Sequence, residues 1–205
     1  TGDSFPASEQ GVDPARITTI PATSNSEWRI LGKATHATVT TVEGSQYFAL
    51  YTQPKYLELE SAKFIAYLKE EGLTAQLASF KPSTNSREMY SKFAKTYVVA
   101  GKSDNKFKQA VGLKIEIVPL ADPANLKPGQ SLPVQLLFEG KPCADTQIEI
   151  ATSTDLRSKA TTQIAGRTDG QGKLNIPIVN SGKVRLHAVH MLQVQQPKHD
   201  WESYW

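Results

Sequence analysis

The chain has a single cysteine, Cys143, so no intrachain disulfide can form, and one thiol does not tell an oxidising compartment from a reducing one. Long apolar runs are also missing. The longest, Tyr97–Gly101 and Leu132–Phe138, fall far short of the roughly 20 residues that a helix needs to cross a bilayer, so no transmembrane segment is expected. Like charges never accumulate into a run, which argues against a basic arm and against nucleic acid as a partner. The glycine-rich phosphate loop, His-Glu-x-x-His, Cys-x-x-Cys and Gly-x-Ser-x-Gly are all absent, and the chain is expected not to be an enzyme.

What remains is an ordinary globular composition: 39% hydrophobic residues, 21% charged residues and a formal net charge of +3 over 205 residues. That length accommodates two small domains. Residues 1 to 26 read as loop with one short strand near Arg16–Ile20. Ala34–Val42 and Gln46–Thr52 carry the Thr, Val, Tyr and Phe of strands, and Glu43-Gly44-Ser45 between them predicts a hairpin. A short amphipathic helix is predicted from Ser61, its N-cap, through Phe64, Ile65 and Leu68 to Gly72. A second is predicted from Ser86, with Met89, Phe93 and Ala94 on one face, and with Arg87 and Glu88 placed to anchor its start to a neighbouring loop.

Beyond Gly112 the pattern is purely β. Lys114–Val118, Ser131–Phe138, Thr146–Ala151, Gln163–Thr168, Lys173–Ile178 and Lys183–Val194 are expected strands, with a hairpin at Asp169-Gly170-Gln171-Gly172. The fold class expected is therefore mainly β, with two β-sandwich-like domains. Residues 1–112 form the first, carrying two inserted short helices, and residues 113–205 form the second, immunoglobulin-like or prealbumin-like.

The chemical irregularity is the C-terminal cluster. Of four histidines, His187, His190 and His199 lie near the end with Met191, Asp200 and Glu202. Imidazole, carboxylate and thioether suit nickel, cobalt, copper or zinc. His187 and His190 fall on opposite faces of a regular strand, so the candidate metal ligands are His190, His199, Asp200 and Glu202, brought together by a loop over residues 192–198. The same residues also read as a surface histidine, a half-buried one and loop anchors. Trp201, Tyr204 and Trp205 read either as a core plug or as an exposed aromatic patch for a protein or glycan.

The segments Leu59–Leu73, Arg87–Lys95, His190-Met191 and Asp200–Trp205, with the steps at Leu126–Gly129 and Arg167–Gly170, resemble one bacterial domain-of-unknown-function family. That family is often labelled the periplasmic component of a cobalt or nickel ABC-type transport system. The resemblance implies a periplasmic binding or accessory protein, a signal peptide outside this sequence, a divalent transition metal (nickel or cobalt) as ligand, and membrane transporter components as partners. The alternative expectation is a non-catalytic structural or adhesive β-sandwich module that binds a protein or glycan.

Overall fold

A computed structural model describes residues 5–6, 12–20, 28–31, 36–39, 41–82, 84–154 and 160–205, with residues 28–31 and 36–39 described by their backbone alone. In chain order the elements are β1 (Ile17–Ile20), β2 (Trp28–Leu31), β3 (His36–Val39), β4 (Gly44–Thr52), β5 (Lys55–Leu59), α1 (Ser61–Glu70), α2 (Thr74–Ser79), β6 (Ser86–Ser91) and β7 (Phe93–Ala100). There follow β8 (Ile115–Pro119), β9 (Ser131–Phe138), β10 (Lys141–Pro142), β11 (Gln147–Ser153), β12 (Thr161–Arg167), β13 (Lys173–Pro177), β14 (Lys183–His187), β15 (His190–Gln193) and β16 (Trp201–Tyr204). The protein is mainly β, with several sheets and two short α-helices among the described residues.

Strands β8, β9, β10 and β13 make one sheet of a sandwich, and β12-β11-β14 makes the other. Alternation along β9 and β11 turns Leu132, Val134 and Leu136 toward Ile148 and Ile150, and Ile176 of β13 closes the same core. Deleting one of these fully buried aliphatic side chains would cost about 2–5 kcal/mol.

A second core lies under the helices. Phe64 and Leu68, four residues apart on α1, are wholly buried against Val189, Met191 and Trp201. The helix ends in a Schellman motif: Leu73 donates to the Leu68 carbonyl at 2.8 Å and Gly72 to that of Lys69 at 3.2 Å. Gly72 takes a positive φ of 63°, and a side chain there would collide with Gln147. Leu73 and Leu68, joined by that bond, share the same cluster.

The sheet beneath the helices has the order β15-β16-β6-β5, with β16 parallel to β6. It takes strands from both sides of Gly112, since β15 and β16 return from the sandwich to join β5 and β6. The β1-β4-β7 sheet completes the first half, and β2 pairs with β3.

Four local expectations are corrected. The helix predicted from Ser86 is strand β6: it pairs with β5 on one side and β16 on the other, and this pairing overrides a helical spacing of only three apolar residues. The second helix is α2 instead. The Glu43-Gly44-Ser45 turn does not pair β3 with β4, because β4 is buried along most of its length and takes β1 and β7 as its two neighbours. Asp169–Gly172 is a tight turn, with Asp169 Oδ1 accepting from the backbone of Gln171 and Lys173, yet it carries the chain from one sheet to the other rather than closing a hairpin. Lys183–Val194 is two strands, broken at Ala188-Val189 where the chain leaves the sandwich for the helix-backed sheet.

Candidate binding site

Strand β16 presents different chemistry on its two faces. Trp201 and Ser203 point into the core beneath α1, while Glu202 and Tyr204 point the other way and help to line a cleft of about 500 Å³. The cleft lies where β4, β6, β7 and the 112–114 link meet. Its walls are largely apolar: Ile20, Tyr51, Pro54, Met89, Phe93 and Leu113. Tyr51 and Phe93 stack at 5.9 Å between ring centroids, which stiffens that wall.

Its charged groups form one array with Tyr204. Lys114 Nζ donates to Tyr204 Oη at 2.9 Å, and Tyr204 donates to Glu202 Oε2 at 2.6 Å. His199 Nε2 lies 3.2 Å from Glu202 Oε1, and Lys114 also faces Glu139 at 3.4 Å. The hydrogen bonds from Tyr204 and His199 hold the Glu202 carboxyl below the usual range. Burial pulls the Lys114 ammonium down, but Tyr204 and Glu139 outweigh it and leave the group above the ordinary lysine value. Both therefore stand charged at neutral pH, bridged by one hydroxyl.

The link that forms part of the wall is held by a buried carboxylate. Glu116 accepts from the backbone N–H of Val111 at 2.8 Å, Gly112 at 3.0 Å and Leu113 at 3.2 Å, and its Oε1 also takes Lys95 Nζ at 2.6 Å. Both side chains of this ion pair are nearly inaccessible, so the two charges depend on each other.

The four residues expected to bind metal are distributed among three environments. Asp200 is gripped by Arg87 through two parallel bonds, Nε to Oδ2 at 2.9 Å and Nη2 to Oδ1 at 2.7 Å, while Arg87 Nη1 holds the Pro197 carbonyl at 3.2 Å. Arg87 thus anchors the loop before β16, as the sequence suggested, though from a strand. His190 turns instead to Cys143, with Nδ1 3.4 Å from Sγ, and packs on Phe138 at 4.2 Å. Burial raises the Cys143 thiol and lowers His190, so the pair is a neutral thiol beside a neutral imidazole rather than an activated nucleophile. Of the four, His199 and Glu202 share a hydrogen bond. Among the described residues no three His, Cys, Asp or Glu side chains converge on a common point. His199 Nδ1 is buried without a hydrogen-bond partner among the described residues. His190 and Asp200 are thus each hydrogen-bonded to a side chain outside the four.

Glu88 carries the other unusual environment. It is wholly buried on β6 opposite Trp201; its Oε1 accepts from Ser203 and, at 3.4 Å, from Tyr67, while Oε2 has no hydrogen-bond partner among the described residues. Burial raises its carboxyl above the usual range, against the two hydrogen bonds. Of the aromatics expected either to plug the core or to form an exposed patch, Trp201 and Tyr204 are buried and Trp205 is half-buried, stacked on Tyr67 at 5.3 Å.

Sequence reasoning did not find Lys114, Tyr204 and Glu202 as a unit. They are distant in the chain, and no spacing rule links a strand-entry lysine to the last strand. The model of DUF4198, described as a domain of unknown function, matches residues 7–192. No curated protein and no solved structure matches the chain significantly.

Proposed function

The chain belongs to the DUF4198 family, a domain of unknown function, and from that premise we propose that it is a non-catalytic binding component that takes a small amphipathic molecule into the cleft between β4, β6 and β7. The observation that carries this reading is the form of the cleft: apolar walls around about 500 Å³, with one compact charged array, Lys114–Tyr204–Glu202, on its lining. Small-molecule sites have this composition, a mostly apolar surface with few convergent polar groups. Burial of Trp201 and Tyr204 and partial burial of Trp205 weigh against an adhesive aromatic patch at the C-terminal strand. The test is titration with N-phenyl-1-naphthylamine, a neutral fluorophore that brightens in apolar sites. Saturable one-to-one brightening, weakened by Met89→Lys, is expected. Absence of saturation, together with no thermal stabilisation by any of a panel of amphipathic compounds, would overturn the reading.

A second reading rests on one distance. His199 Nε2 and Glu202 Oε1 are 3.2 Å apart, a span that two neighbouring ligands of an ion at about 2.0–2.2 Å would have. This pair would supply two protein ligands to a nickel or cobalt ion, in keeping with a periplasmic accessory role beside membrane transporter components. Calorimetry with nickel and cobalt tests it: heat lost in both His199→Ala and Glu202→Gln supports the pair, and no heat with the unaltered chain refutes it.

A further inference from the structure

The charged array restricts what the cleft accepts. Lys114 uses one N–H on Tyr204 and faces Glu139 with another, leaving a third for an incoming acceptor. Each Glu202 oxygen accepts one hydrogen bond, from Tyr204 or His199, and keeps a lone pair for an incoming donor. The Lys114 side chain is 37% exposed and that of Glu202 32%, so both remain reachable. A purely anionic head would meet Lys114 but lie beside the carboxylates of Glu202 and Glu139. A purely cationic head would meet Glu202 but lie beside the Lys114 ammonium. Opposite charges one hydroxyl apart are matched by opposite charges a few bonds apart.

Resting on the cleft as the binding seat, we infer that its ligand class is a small zwitterion with an apolar body, of the α-amino acid type. Its carboxylate meets Lys114, its ammonium meets Glu202, and its apolar part lies against Met89 and Phe93. Tyr204 sets the separation, because its hydroxyl bridges the two charges while its ring is fixed in the sandwich core against Phe138 at 5.1 Å. This is specificity by paired attraction and repulsion, and it predicts discrimination among ligands of the same apolar shape.

The experiment compares three probes with one phenyl body by calorimetry: phenylalanine, phenethylamine and 3-phenylpropionate. Phenylalanine is expected to bind about tenfold or more tightly than either singly charged analogue, the margin expected where each analogue leaves one charge unmatched. Lys114→Met should then rank phenethylamine above 3-phenylpropionate, and Glu202→Gln should reverse that order. A merely structural role for either residue would weaken all three probes alike. Equal affinity of the unaltered chain for the three probes overturns the inference. If none binds while N-phenyl-1-naphthylamine does, the ligand class is wrong and the cleft stands; if neither binds, the cleft reading falls as well.

Discussion

Glu88→Gln separates the charge of the buried carboxyl from its shape. Glu88 is wholly buried, with Tyr67 from α1, Leu57 from β5, and Trp201 and Ser203 from β16 beside it, and among the described residues no cation balances its carboxylate. Its folded-state pKa is raised by burial above the unfolded value of about 4.3. The proton is therefore held more tightly by the folded chain. The stability this contributes is complete below the unfolded pKa and is lost as pH rises through the folded one. At higher pH the ionised group sits in the core with Oε2 unmatched, a penalty of about 1–3 kcal/mol for an unsatisfied buried group. Glutamine stays neutral and keeps an oxygen for Ser203 and Tyr67. Thermal and urea melts of both chains from about pH 4 to pH 9 should converge at the acidic end and diverge as pH rises, with the variant ahead. For a chain of this length each kcal/mol is worth about 2–4 °C in melting temperature. A variant curve displaced by the same amount at every pH would refute the reasoning.

Glu116→Gln leaves the Lys95 ammonium buried without its counterion and loosens the 111–113 link, so it should destabilise by about 3–5 kcal/mol in urea unfolding, and adding Lys95→Met should recover part of the loss. Trp201→Ala removes a buried ring from the helix-backed core and should cost about 3–5 kcal/mol by the same measurement. Asp200→Asn weakens a fork whose members are about 40% exposed, so it should cost only about 0–1 kcal/mol while increasing proteolytic cleavage of the 194–199 loop.

The features legible in the sequence were those written in local order. Ser131–Phe138, an alternating run between turn residues, is β9 to the residue. α1 followed from Phe64 and Leu68 at helical spacing with Gly72 at the end. What escaped is what distant partners decide. Ser86–Phe93 has apolar residues at spacings that suit a helix, and the pairing of Ser86–Ser91 with β5 on one side and β16 on the other makes it a strand. The turn at Asp169–Gly172 was visible, but which sheets its arms join was not, since a glycine fixes a backbone conformation and not a pairing partner. Within the C-terminal cluster, alternation correctly set Glu202 away from Trp201. It gave no sign that Asp200 belongs to Arg87, that His190 belongs to Cys143, or that Lys114 meets Tyr204, because each of these pairs joins residues far apart in sequence.

The two methionines provide the most direct test of the cleft as the ligand seat, because they lie on opposite sides of the same sheet: Met89 lines the cleft and Met191 is buried in the core beneath the helices. With the methionine methyl groups labelled with carbon-13, titration with N-phenyl-1-naphthylamine should move the Met89 signal progressively to saturation and leave that of Met191 in place. A stationary Met89 signal at saturating probe, or a Met191 signal that moves as far, would contradict the account.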